Sequence, residues 1–291
     1  MKIIIPNFEI PTFRHVAQCL ESITNDNLNV LYWNPNITPI IDMFDELGPN
    51  IIFLHESQLD EAFKIVCKDF NFKYVVFASG TIALPVNLTQ PPHAIIAPSD
   101  SKVAFNDHQV IYIRPIANIP AIQNAQYVEN MKSEILVDTT NTNMDDELLR
   151  LLSYLISTHQ TKIIGNNAVS LHQYLGKVTM SERANFIKST NIFLDIGTGG
   201  DYLDAAYLKV AALTIHSTNS IVLNFNNLST LQTHLNTLIN KDLVKKQYIA
   251  QSYAHVCEKN TSYHFSSELF NLISESDISK TLLQYMEGIK C

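Results

Sequence analysis

The stretch Asn191–His216, NIFLDIGTGGDYLDAAYLKVAALTIH, decides the fold. Asn191–Ile196 is an apolar run of strand length. Gly197–Gly200, with three glycines, breaks it. Tyr202–Ala212 then spaces its apolar residues as a helix does, and Leu213–His216 is apolar again. Strand, glycine turn, helix, strand is the crossover unit of a parallel sheet, and such crossovers are right-handed.

The same alternation extends in both directions. Upstream it predicts strands at Lys2–Pro6, Asn29–Trp33, Asn50–Leu54, Lys73–Ala78, His93–Ala97 and Val110–Ile113. Helices fall between them at Pro11–Ile23, at Ile37–Leu47 with Pro39 in the first turn, and at Ser57–Val66 with Ser57 as N-cap. The pattern pauses over Pro115–Gln126, where Pro115 and Pro120 suit a connector between lobes. It restarts with strands at Glu134–Asp138, Lys162–Ile164 and Gly176–Val178. Helices are expected at Met144–Ser157 and Ser181–Lys188, the latter opened by a Thr179–Glu182 capping box. After a strand at Ser220–Asn224, four helices follow: Leu228–Asn240, Asp242–Glu258, Ser262–Ser274 and Asp277–Ile289. The expected fold is α/β: two Rossmann-like lobes, each a doubly wound parallel sheet.

Composition narrows the function. The chain has 291 residues, 46% hydrophobic and 16% charged, which excludes wholesale disorder. Its net charge of −8 argues against nucleic acid as a partner, since no broad basic face is expected. Only Arg14, Arg114, Arg150 and Arg183 carry guanidinium groups among 20 cations. A polyanionic ligand must therefore lean on lysines, backbone N–H groups and helix ends. Cys19, Cys67, Cys257 and Cys291 are scattered, without CxxC or Cys/His clustering. That reads as reduced thiols in a cytoplasmic protein, with no zinc site. No run reaches the ~18 apolar residues of a membrane span, and no histidine pair has HxH or HExxH spacing.

The glycines are few, at eight, so their clusters carry weight. Gly197, Thr198, Gly199, Gly200 and Asp201 stand between a strand and a helix. There, backbone N–H groups and the helix dipole favour an anion. The stretch is neither GxGxxG nor a Walker loop. Two readings stand: a phosphate cradle, or a tight turn with no ligand. Asp201 is an N-cap or a hydroxyl-binding acid, and its charge opposes a diphosphate. Gly165 and Asn166 end a strand at the carboxyl edge, where open α/β sheets bind ligands.

The run GNNAVSLHQYLGKVTMSERANFIKSTNIFLDIG, Gly165–Gly197, resembles the C-terminal lobe of GT-B glycosyltransferases. The nearest type is the glycosyltransferase-like family named for spore-maturation proteins. The matching residues are Tyr174, Gly176, Val178, Glu182, Ser189 and Phe193–Ile196. The tail KNTSYHFSSELFNLI, Lys259–Ile273, is similar to the family's closing helix, with Asn260 in its His position and Ser266 or Ser267 near its Arg. YIRPIANIP, Tyr112–Pro120, resembles the inter-lobe segment.

This resemblance implies two lobes facing a cleft. Residues 1–117, joined by a returning C-terminal helix at 275–291, would form the acceptor lobe. Residues 118–274 would hold a nucleotide-sugar as donor substrate, with no metal and no other cofactor. Gly176 and Lys177 fall in the loop that reads the base in this fold, where Lys177 is either a phosphate ligand or a surface lysine. Asp204 is the nearest counterpart of the family's ribose-binding glutamate, or else part of a solvated helix face. The chain departs from the family twice. The pair of glutamates eight apart is absent, and DTTNTN, Asp138–Asn143, replaces a glycine and a basic residue. An acceptor hydroxyl needs a base; His55 and Glu56 end a strand at the carboxyl edge of the first lobe, and His55, as an imidazole, is the candidate base. Asn7, Glu9, Ser79 and Gly80 occupy similar places. The implied function is sugar transfer from a nucleotide-sugar to a hydroxyl acceptor. The alternatives are a catalytically degenerate binding or assembly protein of the same fold, and another two-lobed protein such as a sugar-nucleotide epimerase.

Overall fold

The computed structural model describes residues 1–7, 10–24, 27–80, 90–99, 101, 108–166, 171–197, 201–215 and 222–290. The chain divides into two compact units, Met1–Arg114 with Ser262–Cys291, and Pro115–Thr261.

In the first unit, β1 (Lys2–Pro6), α1 (Pro11–Ser22), β2 (Asn29–Trp33), α2 (Ile40–Leu47), β3 (Ile51–His55), α3 (Glu61–Asp69), β4 (Lys73–Phe77), β5 (Ala94–Pro98) and β6 (Val110–Ile113) follow in order. The sheet runs β2-β1-β3-β4-β5-β6, parallel throughout. Its inner strands β1, β3, β4 and β5 are buried on both faces, so they read as continuous apolar runs, while the edge strands β2 and β6 expose Tyr32 and Tyr112. Helix α1 begins at Pro11, whose missing N–H costs nothing in a first turn, and buries Phe13, Val16, Ala17 and Leu20. Phe44, Phe63, Phe72 and Tyr74 build the aromatic centre of the core between α2, α3 and the sheet.

In the second unit, α4 (Ile119–Ile122), β7 (Ser133–Asp138), α5 (Asp146–Thr158), β8 (Thr161–Ile164), α6 (Met180–Lys188), β9 (Thr190–Asp195), α7 (Tyr202–Tyr207), β10 (Ala211–Thr214), β11 (Leu223–Asn224), α8 (Leu228–Asn240) and α9 (Asp242–Lys259) follow. The sheet runs β11-β10-β9-β7-β8, again parallel. Leu148, Leu152 and Leu155 of α5 and Leu231, Leu235 and Leu238 of α8 bury one face of it. Helix starts follow side-chain capping. Asp145 accepts from Leu148 N–H at 2.9 Å, Asn227 from Thr230 N–H at 2.9 Å, and Thr179 with Glu182 forms the expected capping box.

The chain then returns to the first unit with α10 (Ser262–Leu272) and α11 (Ser276–Lys290). The sequence boundaries at 117/118 and 274/275 differ from the observed ones at 114/115 and 261/262. The reason is packing of α10 on its own unit. Tyr263 shares a 2.6 Å hydrogen bond with Ser22 of α1, and Ser267 one of 2.6 Å with Ser279 of α11.

Three local expectations are corrected. Helix α3 starts at Glu61 behind an Asp60 cap, while Ser57 sits in a single 3-10 turn, Glu56–Gln58. Gly176–Val178 is not a strand; the adjoining segment meets β8 only at a bridge between Ile163 and Tyr174. The helix after Gly197 spans Tyr202–Tyr207, and its supposed last turn, Ala211–Ala212, is the start of β10.

Candidate functional site

In each sheet the direction of winding reverses beside the first strand, between β1 and β3 and between β7 and β9. Ligands of open α/β sheets bind outside the carboxyl ends of strands at such points. The sequence-predicted residues fall at both places.

In the first unit, β1 pairs with β3 at Ile3↔Ile51 and Ile4↔Ile52, whereas its pairing with β2 runs on to Pro6↔Trp33. His55 and Glu56 lie just past β3. His55 Nδ1 accepts from Ser57 N–H at 3.2 Å and lies 2.8 Å from Ser57 Oγ, while His55 N–H donates to Gln58 Oε1 at 2.8 Å. The ring stacks on Phe77 at 5.9 Å. His55 is thus the cap of the 3-10 turn. An Nδ1 that accepts a backbone N–H places the neutral ring's proton on Nε2. Glu56 reaches β4's end, where its carboxylate accepts from Ser79 N–H at 3.0 Å and from the Ser79 hydroxyl. Ser79 was expected near the carboxyl edge and is the partner that orients Glu56. Glu9 lies outside the described residues.

In the second unit, the loops after β7, β8 and β9 close on one another. Asn166 and Asn141 exchange two hydrogen bonds, each 2.9 Å, with Asn141 at φ 59°. Gly165, at φ 149°, lies so close to Thr139 that a Cβ would collide with its hydroxyl. A Cβ on Gly197 would stand 2.6 Å from the Thr140 carbonyl oxygen. These two glycines are therefore required by loop packing, whatever ligand the edge takes. Gly176 has φ 81° with open space about it, and Lys177 is exposed. Thr198, Gly199 and Gly200 lie outside the described residues.

A charged cluster sits at this switch point. Asp138 and Asp195 end β7 and β9 in register, and both are buried. Arg183 of α6 places Nε 2.8 Å from Asp138 Oδ2 and Nη2 against Asp201 Oδ2. Both contacts are coulombic, because neither the Nε nor the Nη2 N–H is aimed at its oxygen. Asp138 Oδ1 accepts from Thr140 N–H at 2.8 Å, Asp195 from Tyr202 N–H at 3.2 Å, and Asp204 from Asn118 N–H at 2.9 Å. Burial lifts the Asp195 carboxyl well above the usual range, and Asp201 and Asp138 add to it. Burial and Asp201 push Asp204 up to about 7. One guanidinium balances Asp138 and Asp201, so the other two carboxyls tend to keep their protons.

The solvated helix face foreseen for Asp204 is corrected: the residue is buried because α7 is almost wholly enclosed. Asp201 holds the N-cap position, yet its side chain makes no cap hydrogen bond and turns to Arg183. Sequence reasoning passed over Arg183 and Asp195. The usable signal was a carboxylate closing each of two buried apolar strands, EILVD138 and NIFLD195.

Apart from the cluster, a crevice of about 350 Å³ opens at the ends of β7, β9, β10 and β11, with the acidic Asp145 and Glu147 in its lining and none of the cluster's charged residues. Ile196, Ile215 and Phe225 form its apolar floor, and Thr142, Asn143 and Asn226 part of its polar rim. Among the described residues there is no cluster of three metal-ligating side chains and no helix long and apolar enough to cross a membrane.

No protein-family model matches the sequence, and no curated protein matches it. Solved structures match along nearly all of it. HepE of Anabaena, solved in complex with UDP and glucose, is similar with a TM-score of 0.63 and 9% identity, over 94% of this chain and 99% of its own. A Listeria monocytogenes protein assigned as a UDP-N-acetylglucosamine 2-epimerase has a TM-score of 0.59 and 10% identity, over 95% and 96%. Sucrose-phosphate synthase from Thermosynechococcus elongatus has 0.57 and 8%, over 94% and 98%. At such identities the likeness is one of fold. The chain has the α/β architecture of two Rossmann-like lobes found in GT-B proteins.

Proposed function

We propose that the protein is a GT-B glycosyltransferase that moves a sugar from a nucleotide-sugar to a hydroxyl acceptor. The observation that carries this reading is the run of both lobes, in order, along structures that include one solved with UDP and glucose. The spore-maturation type of this fold is the finer assignment, on the residues from Tyr174 to Ile196. A cytoplasmic location belongs to the same reading, in keeping with three described cysteines that form no disulfide.

The donor is assigned to the second unit. Gly165, Asn166, Gly176, Lys177, Gly197 and Asp201 stand at or beyond the carboxyl edge of its sheet. The acceptor is assigned to the first unit. Glu56, oriented by Ser79, takes the acceptor's hydroxyl proton, and His55 fixes the turn that carries Glu56. The acceptor oxygen then bonds to the anomeric carbon as the bond to the diphosphate breaks, and the nucleoside diphosphate leaves with the electron pair. Calorimetric titration with UDP, GDP, ADP and TDP tests the reading. Binding of one of them is expected; no heat from any, in a folded sample, overturns it.

One observation favours a catalytically degenerate protein of the same fold. The buried guanidinium at the donor edge is already engaged by Asp138 and Asp201. Nucleotide binding without transfer to any acceptor would mark that alternative.

A further inference from the structure

We infer that Asp201 is an internal anion that occupies Arg183, and that a donor diphosphate enters by displacing it. The inference rests on the donor reading above and adds the regulation of that site.

Arg183 is the arginine that stands at the carboxyl edge of the second unit's sheet, beside the ends of β7 and β9. Its side chain is 17% exposed. Asp138, 1% exposed, lies on the inner side of it, and Asp201, 19% exposed, lies on the outer side. The outer carboxylate is the one that can be exchanged. Asp201 immediately follows the glycine-rich stretch and holds the N-cap position of α7, where an aspartate ordinarily caps its own helix. Here the side chain caps nothing and faces the guanidinium. Carboxylate and phosphate oxygens are both anionic partners of a guanidinium, so Asp201, at Nη2, holds the place a phosphate oxygen would take. The inner carboxylate, Asp138, keeps its Thr140 hydrogen bond and stays in either state.

The test compares UDP with uridine by calorimetry on the full chain. Wild type, Asp201→Asn and the double variant Asp201→Asn/Arg183→Gln are titrated, and each is checked by a cooperative melt. Freeing the fork by Asp201→Asn is expected to tighten UDP about tenfold, the effect of removing a competitor worth one decade of occupancy. Uridine, which has no phosphate, is expected to be unchanged. The double variant is expected to lose the gain. If wild type binds UDP and Asp201→Asn binds it no better, the internal-anion inference is overturned while the donor reading stands. If no folded variant binds UDP or another nucleoside diphosphate, both are overturned. Should Asp201→Asn fail to fold, Asp201→Ser serves in its place, with the same outcomes decisive.

Discussion

The backbone N–H of Asn118 donates to Asp204 Oδ1 at 2.9 Å, joining residues 86 apart in sequence. Asn118 follows Ala117, whose own N–H donates to Asn260 at 2.8 Å. A buried carboxyl therefore anchors the segment by which the chain enters the second unit. This makes the unit's stability depend on pH. Asp204 titrates at about 7 in the fold against an ordinary 3.8. Between those values the folded state holds a proton that the unfolded state has lost. The contribution of that proton to stability is full below about pH 4 and is lost as pH rises towards and through 7. Asp195, raised in the same direction, adds to the slope. Asp204→Asn keeps an oxygen for Asn118 and carries no charge. It is expected to flatten the slope and to raise the melting temperature at pH 8 by about 2–4 °C, read from thermal melts at pH 5 and pH 8.

Arg183→Met leaves Asp138 and Asp201 without their cation. Breaking a buried ion pair from one side costs about 3–5 kcal/mol. The loss is expected to be largest at pH 8 and to shrink at pH 5, where Asp204 and Asp195, both raised by burial, hold their protons and add less repulsion to the cluster. Urea unfolding at the two pH values measures it, and an equal loss at both would contradict the coulombic account.

Gly165→Ala places a Cβ onto Thr139 at φ 149°. The expected cost is about 2–3 kcal/mol in urea unfolding. Gly176→Ala, at φ 81° with open space, meets backbone strain alone and should cost about 1 kcal/mol. Equal costs would show that loop packing at Thr139 is not what demands the first glycine.

Glu56→Gln is expected to lower transfer by about 10²–10⁴-fold while leaving nucleoside diphosphate binding intact. His55→Ala removes a cap and should cost about 1 kcal/mol of stability, with a smaller loss of transfer. A larger loss from His55→Ala than from Glu56→Gln would move the base to the imidazole. Single-turnover assays with a radiolabelled donor, beside thermal melts, separate the two.

The strands and most helices were legible because each is a local pattern. The capping box at Thr179–Glu182 was readable for the same reason, since its partners are three residues apart. Ser57 misled because a serine before an apolar stretch looks like a cap, while Asp60, three residues on, is the one used. The helix Tyr202–Tyr207 was overextended because Val210–Ala212 is as apolar as a helix face. Residues His55 and Glu56 were found because a strand's carboxyl end is readable from where its apolar run stops. Their partner relations were not: Ser79 lies just past the end of the next strand, and its hydrogen bond to Glu56 exists only once β3 and β4 pair.

Alternating apolar runs and amphipathic stretches were enough to establish two doubly wound sheets, since side-chain period is a property of neighbours along the chain. Which charges meet was settled only in three dimensions. Asp138 and Asp195 became adjacent because β7 pairs with β9 as well as with β8. Arg183 then had both Asp138 and Asp201 within reach, and Asp204 was enclosed by the packing of α7. Strand order is set by how whole layers bury their apolar faces, and no local pattern encodes it.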